Sequence, residues 1–72
     1  MPVNEFYVEG ISKQEYLATF IETDHNINEI KQLIKMEPEK VFQQKINTKI
    51  IHAKLYAKCN GNYYHIEDIQ FR

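Results

Sequence analysis

Residues 50–71 read IIHAKLYAKCNGNYYHIEDIQF, two alternating runs that meet at Asn60-Gly61. Asn-Gly in that setting is the strongest short-range hairpin signal, because the favoured two-residue turn needs φ > 0 at both central positions. A two-residue turn pairs Cys59 with Asn62, Lys58 with Tyr63, Ala57 with Tyr64, Tyr56 with His65, Leu55 with Ile66 and Lys54 with Glu67. Cys59, Ala57 and Leu55 then share an apolar face near the turn. Lys54, Tyr56, Lys58, Tyr63 and His65 share the other, with Lys54–Glu67 as a cross-strand ion pair. Continued outward, this register would bury Asp68 and expose Ile69 and Phe71. One extra residue at Glu67-Asp68 shifts the parity and predicts a β-bulge there, bringing Ile69 and Phe71 inside with Ala53 and Ile51.

Upstream of the hairpin, Val3 to Glu9 is β-rich and reads as a strand ending at Gly10. Ser12-Lys13-Gln14-Glu15 has the pattern of a capping box, and Tyr16, Leu17, Phe20 and Ile21 follow at helical spacing, so a helix is predicted over about 13–22. A strand over Tyr16 to Thr23 is the competing reading. Asn26 and Glu29 repeat the capping arrangement ahead of an apolar stripe, Ile27, Ile30, Leu33 and Ile34, which predicts a helix over about 27–36. Pro38 ends that helix near Met36 and suits the first turn of a short third helix, from Pro38 to Gln44 or Lys45. The expected fold is α+β, in the order β-α-α-(α)-β-β, with a three-stranded antiparallel sheet (N-terminal strand plus C-terminal hairpin) packed on two to three helices. Phe6, Val8, Leu17, Phe20, Ile21, Ile30, Leu33, Ile34, Phe42, Ile51 and Leu55 are the expected core.

With 72 residues there is room for one compact domain, residues 1–72, whose modest core favours dimerisation or docking onto a partner. The single cysteine, Cys59, leaves no intramolecular disulfide and fits a reducing compartment. No apolar run approaches a membrane span, and Met1-Pro2-Val3-Asn4-Glu5 does not read as a signal peptide, so a cytoplasmic location is expected. The net charge of −1 hides an asymmetry. Residues 1–30 carry Glu5, Glu9, Glu15, Glu22, Asp24 and Glu29 against Lys13 alone. Residues 31–58 carry Lys31, Lys35, Lys40, Lys45, Lys49, Lys54 and Lys58 against Glu37 and Glu39. Such a dipole steers a charged partner or a second copy of the chain.

Little in the chain suggests chemistry. His25, His52, His65 and Cys59 lack zinc-ligand spacing, and the hairpin would hold His52 and His65 about 13 Å apart, so no metal site is expected. Two glycines build no phosphate loop, Cys59 has no histidine on its face, and Ser12 is explained as a cap. No catalytic residue and no cofactor is therefore expected, and the protein reads as a non-enzyme.

Binding remains. Tyrosine-rich, marginal in core and flanked by candidate edge strands (Val3 to Glu9 and Tyr63 to Phe71), the chain reads first as a protein-binding module that modulates or inhibits a protein partner, with a homodimer as a further option. Lys54, Tyr56, Lys58, Tyr63 and His65 are the candidate binding residues. The Asn, Ile, Lys and Gln bias is similar to that of small accessory proteins of phages and mobile elements from AT-rich hosts. The runner-up reading is a nucleic-acid-binding transcriptional regulator. Ile30, Ile34, Met36 and Val41 fall at the spacing of the buried positions of a helix-turn-helix, and residues 30–46 partially resemble that motif. Lys31 and Lys35 depart from it, standing where the motif has a small buried residue and a glycine. The resemblance implies a recognition segment with Lys40, Gln43, Gln44 and Lys45 at the nucleic acid and the hairpin as a wing. Glu37 and Glu39 would then lie near phosphates.

Overall fold

A computed structural model describes residues 3–71; Met1 and Pro2, at the start of the N-terminal segment discussed above, and Arg72 lie outside the described residues. The chain is α+β in the order β-β-α-α-β-β: β1 Asn4–Ser12, β2 Tyr16–Thr23, α1 Ile27–Met36, α2 Pro38–Phe42, β3 Ile50–Cys59 and β4 Asn62–Gln70. The four strands form one antiparallel sheet in the order β2-β1-β3-β4, with both helices against one face.

The expected three-stranded sheet is corrected to four strands, because residues 16–23 are a strand and not a helix. The physical reason lies at Ser12. Its hydroxyl accepts from the backbone N–H of Glu15 at 2.8 Å, as a helix N-cap would, and its own N–H donates to the Glu15 carbonyl at 2.9 Å. Those bonds close a tight turn from β1 into β2. The Glu15 carboxylate, which a capping box would send back to Ser12, instead accepts from Asn47 N, Thr48 N and Thr48 Oγ1 at 3.2, 3.1 and 2.8 Å. Beyond the turn, Thr19, Ile21 and Thr23 are β-branched and Tyr16 and Phe20 aromatic, the residue types that suit a pleated surface. The first strand likewise does not end at Gly10 but runs on to Ser12. It is an interior strand, not the edge expected for residues 3–9, paired with β2 on one side and β3 on the other.

Gly10 sits under the Phe42 ring, and a Cβ there would come within 2.9 Å of Phe42 Cζ. The core holds Phe6, Val8, Leu17, Ile30, Ile34, Val41, Phe42, Ile50, Ala53, Leu55 and Ile69. Ile21 and Leu33 pack at its margin. Two expected core residues are outside it: Phe20 is 68% and Ile51 44% exposed. Strand parity turns Phe20 away from the helices, since Leu17, Thr19 and Ile21 take the inner face. Ile51 is displaced by a register shift in which Ile11 pairs with His52 but Ser12 pairs with Ile50. The skipped residue flips parity, so Ile50 points inward.

The second half follows the expected plan more closely. In α1 the capping box is complete, with Glu29 N to Asn26 Oδ1 and Asn26 N to Glu29 Oε1 both at 2.9 Å. The same contact holds the Glu29 carboxyl below its ordinary range, chiefly through the Asn26 backbone hydrogen bond. Pro38 opens α2, but this helix ends at Phe42, short of Gln44 or Lys45, because Gln43 adopts the left-handed conformation at φ 56°. At the hairpin, Asn60 and Gly61 both have positive φ, 51° and 84°, as a type I′ turn requires. Pairing follows the expected register as far as Tyr56 with His65, and then shifts to Leu55 with Glu67. The bulge is therefore real but sits at Ile66, one residue before the expected Glu67-Asp68. The Leu55–Ile66 and Lys54–Glu67 pairs are replaced by Leu55–Glu67 and Lys54–Asp68. Glu67 turns towards the helices and meets Lys31 Nζ at 3.3 Å. Ile69 joins the core as expected, and Phe71 packs against its edge.

Candidate binding face

The helices cover one face of the sheet and leave the other open. Register and parity arrange the open face in four rows across β2, β1, β3 and β4. The first is Glu22, Glu5, Lys58, Tyr63. The second is Phe20, Tyr7, Tyr56, His65. The third is Ala18, Glu9, Lys54, Asp68, and the last is Tyr16, Ile11, His52, Gln70. All five candidate binding residues read from the hairpin, Lys54, Tyr56, Lys58, Tyr63 and His65, stand on this face. The β1–β2 half, with Tyr7, Glu9, Tyr16 and Phe20, is an addition that the helical reading of β2 concealed. Alternation of Tyr16, Ala18 and Phe20 was the available signal.

The rings on the face touch one another. Tyr7 lies 4.8 Å from Phe20 and 5.6 Å from Tyr56, centroid to centroid, and Phe20 lies 5.5 Å from Tyr63. Phe20 belongs to one edge strand and Tyr63 to the other, so the ring cluster spans the open face from edge to edge across β1 and β3. Between the rings a shallow hollow of about 550 Å³ is lined by Tyr7, Glu9, Ala18, Phe20, Tyr56 and Tyr63. Glu9 is its acidic element and accepts from Tyr16 Oη at 2.5 Å and Tyr56 Oη at 3.3 Å. Tyr16 is pushed above the ordinary tyrosine range, first by the hydrogen bond to Glu9 and then by loss of solvent. Tyr56 is also raised, first by loss of solvent and then by the Glu9 charge. Lys58 borders the cluster with its ammonium 5.9 Å from the Tyr63 centroid and 3.6 Å from Glu5.

At the opposite edge the bulge overturns the expected separation of the two hairpin histidines. His65 Nε2 and His52 Nε2 both meet Asp68 Oδ1, at 2.9 and 3.4 Å. Moving the bulge to Ile66 places Asp68 on the open face between them. The Asp68 carboxyl is held below the ordinary range, first by the His65 hydrogen bond. Among the described residues, no group of three or more His, Cys, Asp or Glu is arranged to hold a metal ion. Cys59 is exposed beside the turn.

The residues of the alternative reading lie elsewhere. Lys40, Gln43, Gln44 and Lys45 are exposed around the end of α2. Lys40 is paired with Glu37 at 2.8 Å, which raises its pKa, chiefly through that hydrogen bond. Helix α2 has five residues, Gln44 and Lys45 lie beyond it, and Met36, an expected buried position, is 75% exposed. The segment thus has no helix long enough to lie along a groove with Gln43, Gln44 and Lys45 on it.

No protein-family model, no curated protein and no solved structure matches this chain. Its function must be argued from the face itself.

Proposed function

We propose that this chain is a small non-enzymatic binding protein that modulates a protein partner docked on the open face of its sheet. The observation that carries this reading is Phe20, 68% exposed on top of a contiguous ring cluster that no other element of the described chain covers. A large aromatic side chain left in water forgoes about 1.5–3 kcal/mol of burial free energy, which a partner surface would recover. Tyr7, Tyr56 and Tyr63 add apolar area with polar tips, the mixture favoured in interface cores. Lys54, Lys58, Glu9 and Glu22 form a rim of mixed sign that suits another protein surface better than a uniform polyanion.

A second reading keeps nucleic acid as the partner, because Tyr56, Tyr63 and the two lysines combine stacking rings with cations on one face. Salt separates the two. Phosphate neutralisation makes affinity fall steeply with ionic strength, whereas an aromatic-centred protein interface loses far less. The test is affinity capture from a lysate of the source cells with the parent protein and with Phe20→Lys, each at low and at moderate salt. A protein retained at both salts by the parent and lost by the variant supports the proposal. Equal retention by Phe20→Lys would sink it. Capture of nucleic acid that disappears at moderate salt and on exchanging Lys54 and Lys58 for Glu would establish the second reading instead.

A further inference from the structure

We propose that β2 is a self-pairing edge, joining two copies of this chain through antiparallel β2–β2 contact into one eight-stranded sheet. This inference rests on the β2 edge and not on the proposed partner, and its register also engages Ala18 and Phe20 of the open face. Its starting point is the contrast between the two edges. The β4 edge carries the usual protection, a bulge at Ile66 and the charged Glu67 and Asp68 at mid-strand. The β2 edge has none. Its eight residues, YLATFIET, pair with β1 without a register shift, contain no lysine or proline, and hold a single charge, Glu22, near one end. Such a strand presents a row of backbone donors and acceptors to any chain that can align with it.

The side chains of β2 favour a second copy as that chain. In a twofold pair the strand meets itself, so one residue lies on the axis and its neighbours pair symmetrically about it. Placing Thr19 on the axis sets Leu17 opposite Ile21 of the second copy, Ala18 opposite Phe20, and Tyr16 opposite Glu22. Inner residues meet inner residues, the exposed Phe20 ring lies over the smallest outer side chain, Ala18, and no like charges are opposed. Moving the axis to Ala18 leaves Ile21 and Glu22 beyond the end of the partner strand. Moving it to Phe20 leaves Tyr16 beyond the end of the partner strand and sets Leu17 against Thr23 in place of Ile21. Only the Thr19 register matches the strand from Tyr16 to Glu22.

A second observation lies beneath this edge. A groove of about 220 Å³ runs between β2 and the helices, lined by Ile21, Ile30, Leu33 and Val41 among others, with Phe20 and Gln43 at its rim. Ile21 and Leu33 are only half-buried there. In the Thr19 register, Leu17 of the second copy abuts Ile21 above this groove, so the two cores become continuous across the axis.

The experiment is sedimentation equilibrium of the full chain from micromolar concentration to about 1 mM, the weak end of specific association, together with a register-specific cross-link. The parent is expected to approach twice its 8.6 kDa mass. Ala18→Lys, at a solvent-facing position, is expected to weaken the dimer at least tenfold while leaving the circular dichroism of the monomer unchanged. In a Cys59→Ser background, Thr19→Cys is expected to oxidise to a covalent dimer, because directly opposed residues stand about 4.5–5.5 Å apart, within disulfide range. Ala18→Cys, two residues out of opposition, is expected to remain uncrosslinked. A parent that stays at monomer mass at 1 mM overturns the proposal and leaves the edge to the strand of another protein. A dimer that survives Ala18→Lys, or that forms without the Thr19→Cys cross-link, overturns it too and assigns association to another surface. Should Ala18→Lys fail to fold, the cross-link decides alone.

Discussion

Gln43 holds φ 56° at the end of α2, a conformation in which an L side chain crowds its own carbonyl. Its side chain is exposed, and the backbone N–H bonds back to the Glu39 carbonyl, so the backbone and not the glutamine side chain closes the helix. Gln43→Gly removes the crowding, while the added freedom of the unfolded chain offsets part of the gain. The expected result is a stabilisation of about 0.5–1 kcal/mol in urea unfolding. Glu9 makes a different kind of prediction. Its carboxylate holds the protonated hydroxyls of Tyr16 and Tyr56, and both pKa values lie above the ordinary 10.0. A raised folded-state value means that the stability from these hydroxyls is fully present below the ordinary phenol range. It is lost as pH rises through the higher folded values. Tyrosinate absorbance should therefore show two of the five tyrosines ionising late. In Glu9→Gln, Tyr16 should shift back most, because the Glu9 hydrogen bond is the first cause of its displacement.

Among the elements, the irregular segment from Gln43 to Lys49 is tied down by two glutamates and not by apolar burial alone. Glu39 Oε2 accepts from Ile46 N at 2.9 Å, and Glu15 Oε1 accepts from Asn47 N, Thr48 N and Thr48 Oγ1. Glu15→Ala strips three donors of their acceptor and should cost roughly 1–3 kcal/mol, read as a lowered denaturation midpoint with an unchanged slope. A shift below about 0.5 kcal/mol would show that water replaces the carboxylate. The same glutamate explains why β2 was hard to read. Ser12 with Glu15 N forms the same short-range bond in a helix cap and in this turn, and only the pairing of Tyr7 with Phe20, thirteen residues away, distinguishes them. Elements decided by local bonds were legible: the Asn60-Gly61 turn, the Asn26 cap and the Pro38 start. The parity change in the hairpin was legible as well, but its position was not. Lys54–Glu67, the expected pair, and Glu67–Lys31, the observed one, are both surface ion pairs, worth too little for charge pattern to fix the position of the bulge. Half of the candidate face followed from the hairpin, and the other half needed β2 as a strand.

For the molecule as a whole, β1 decides cooperativity. It lies inside the sheet and pairs with β2, formed next in the chain, and with β3, which begins at Ile50 near the far end. Its inner side chains Phe6 and Val8 are buried among residues from both helices and from β3 and β4. No portion of the chain can close a core without it, and its pairing with β3 spans most of the sequence. Folding should therefore be two-state and slow for so small a protein, since the long loop must close before the sheet is complete. The site that best reports this is Gly10, where the Phe42 ring of α2 rests directly on the β1 backbone. Gly10→Val places a branched side chain where even a Cβ comes within 2.9 Å of that ring. Valine suits a strand, so local preference alone would predict a gain; overpacking of a filled core costs about 1–3 kcal/mol and should prevail. In the variant, sheet signal by far-ultraviolet circular dichroism and ring packing on the opposite face by near-ultraviolet circular dichroism should melt together at a lower temperature. Loss of helix packing with the aromatic face still intact would mean that the two faces are independent, and the central role of β1 would have to be abandoned.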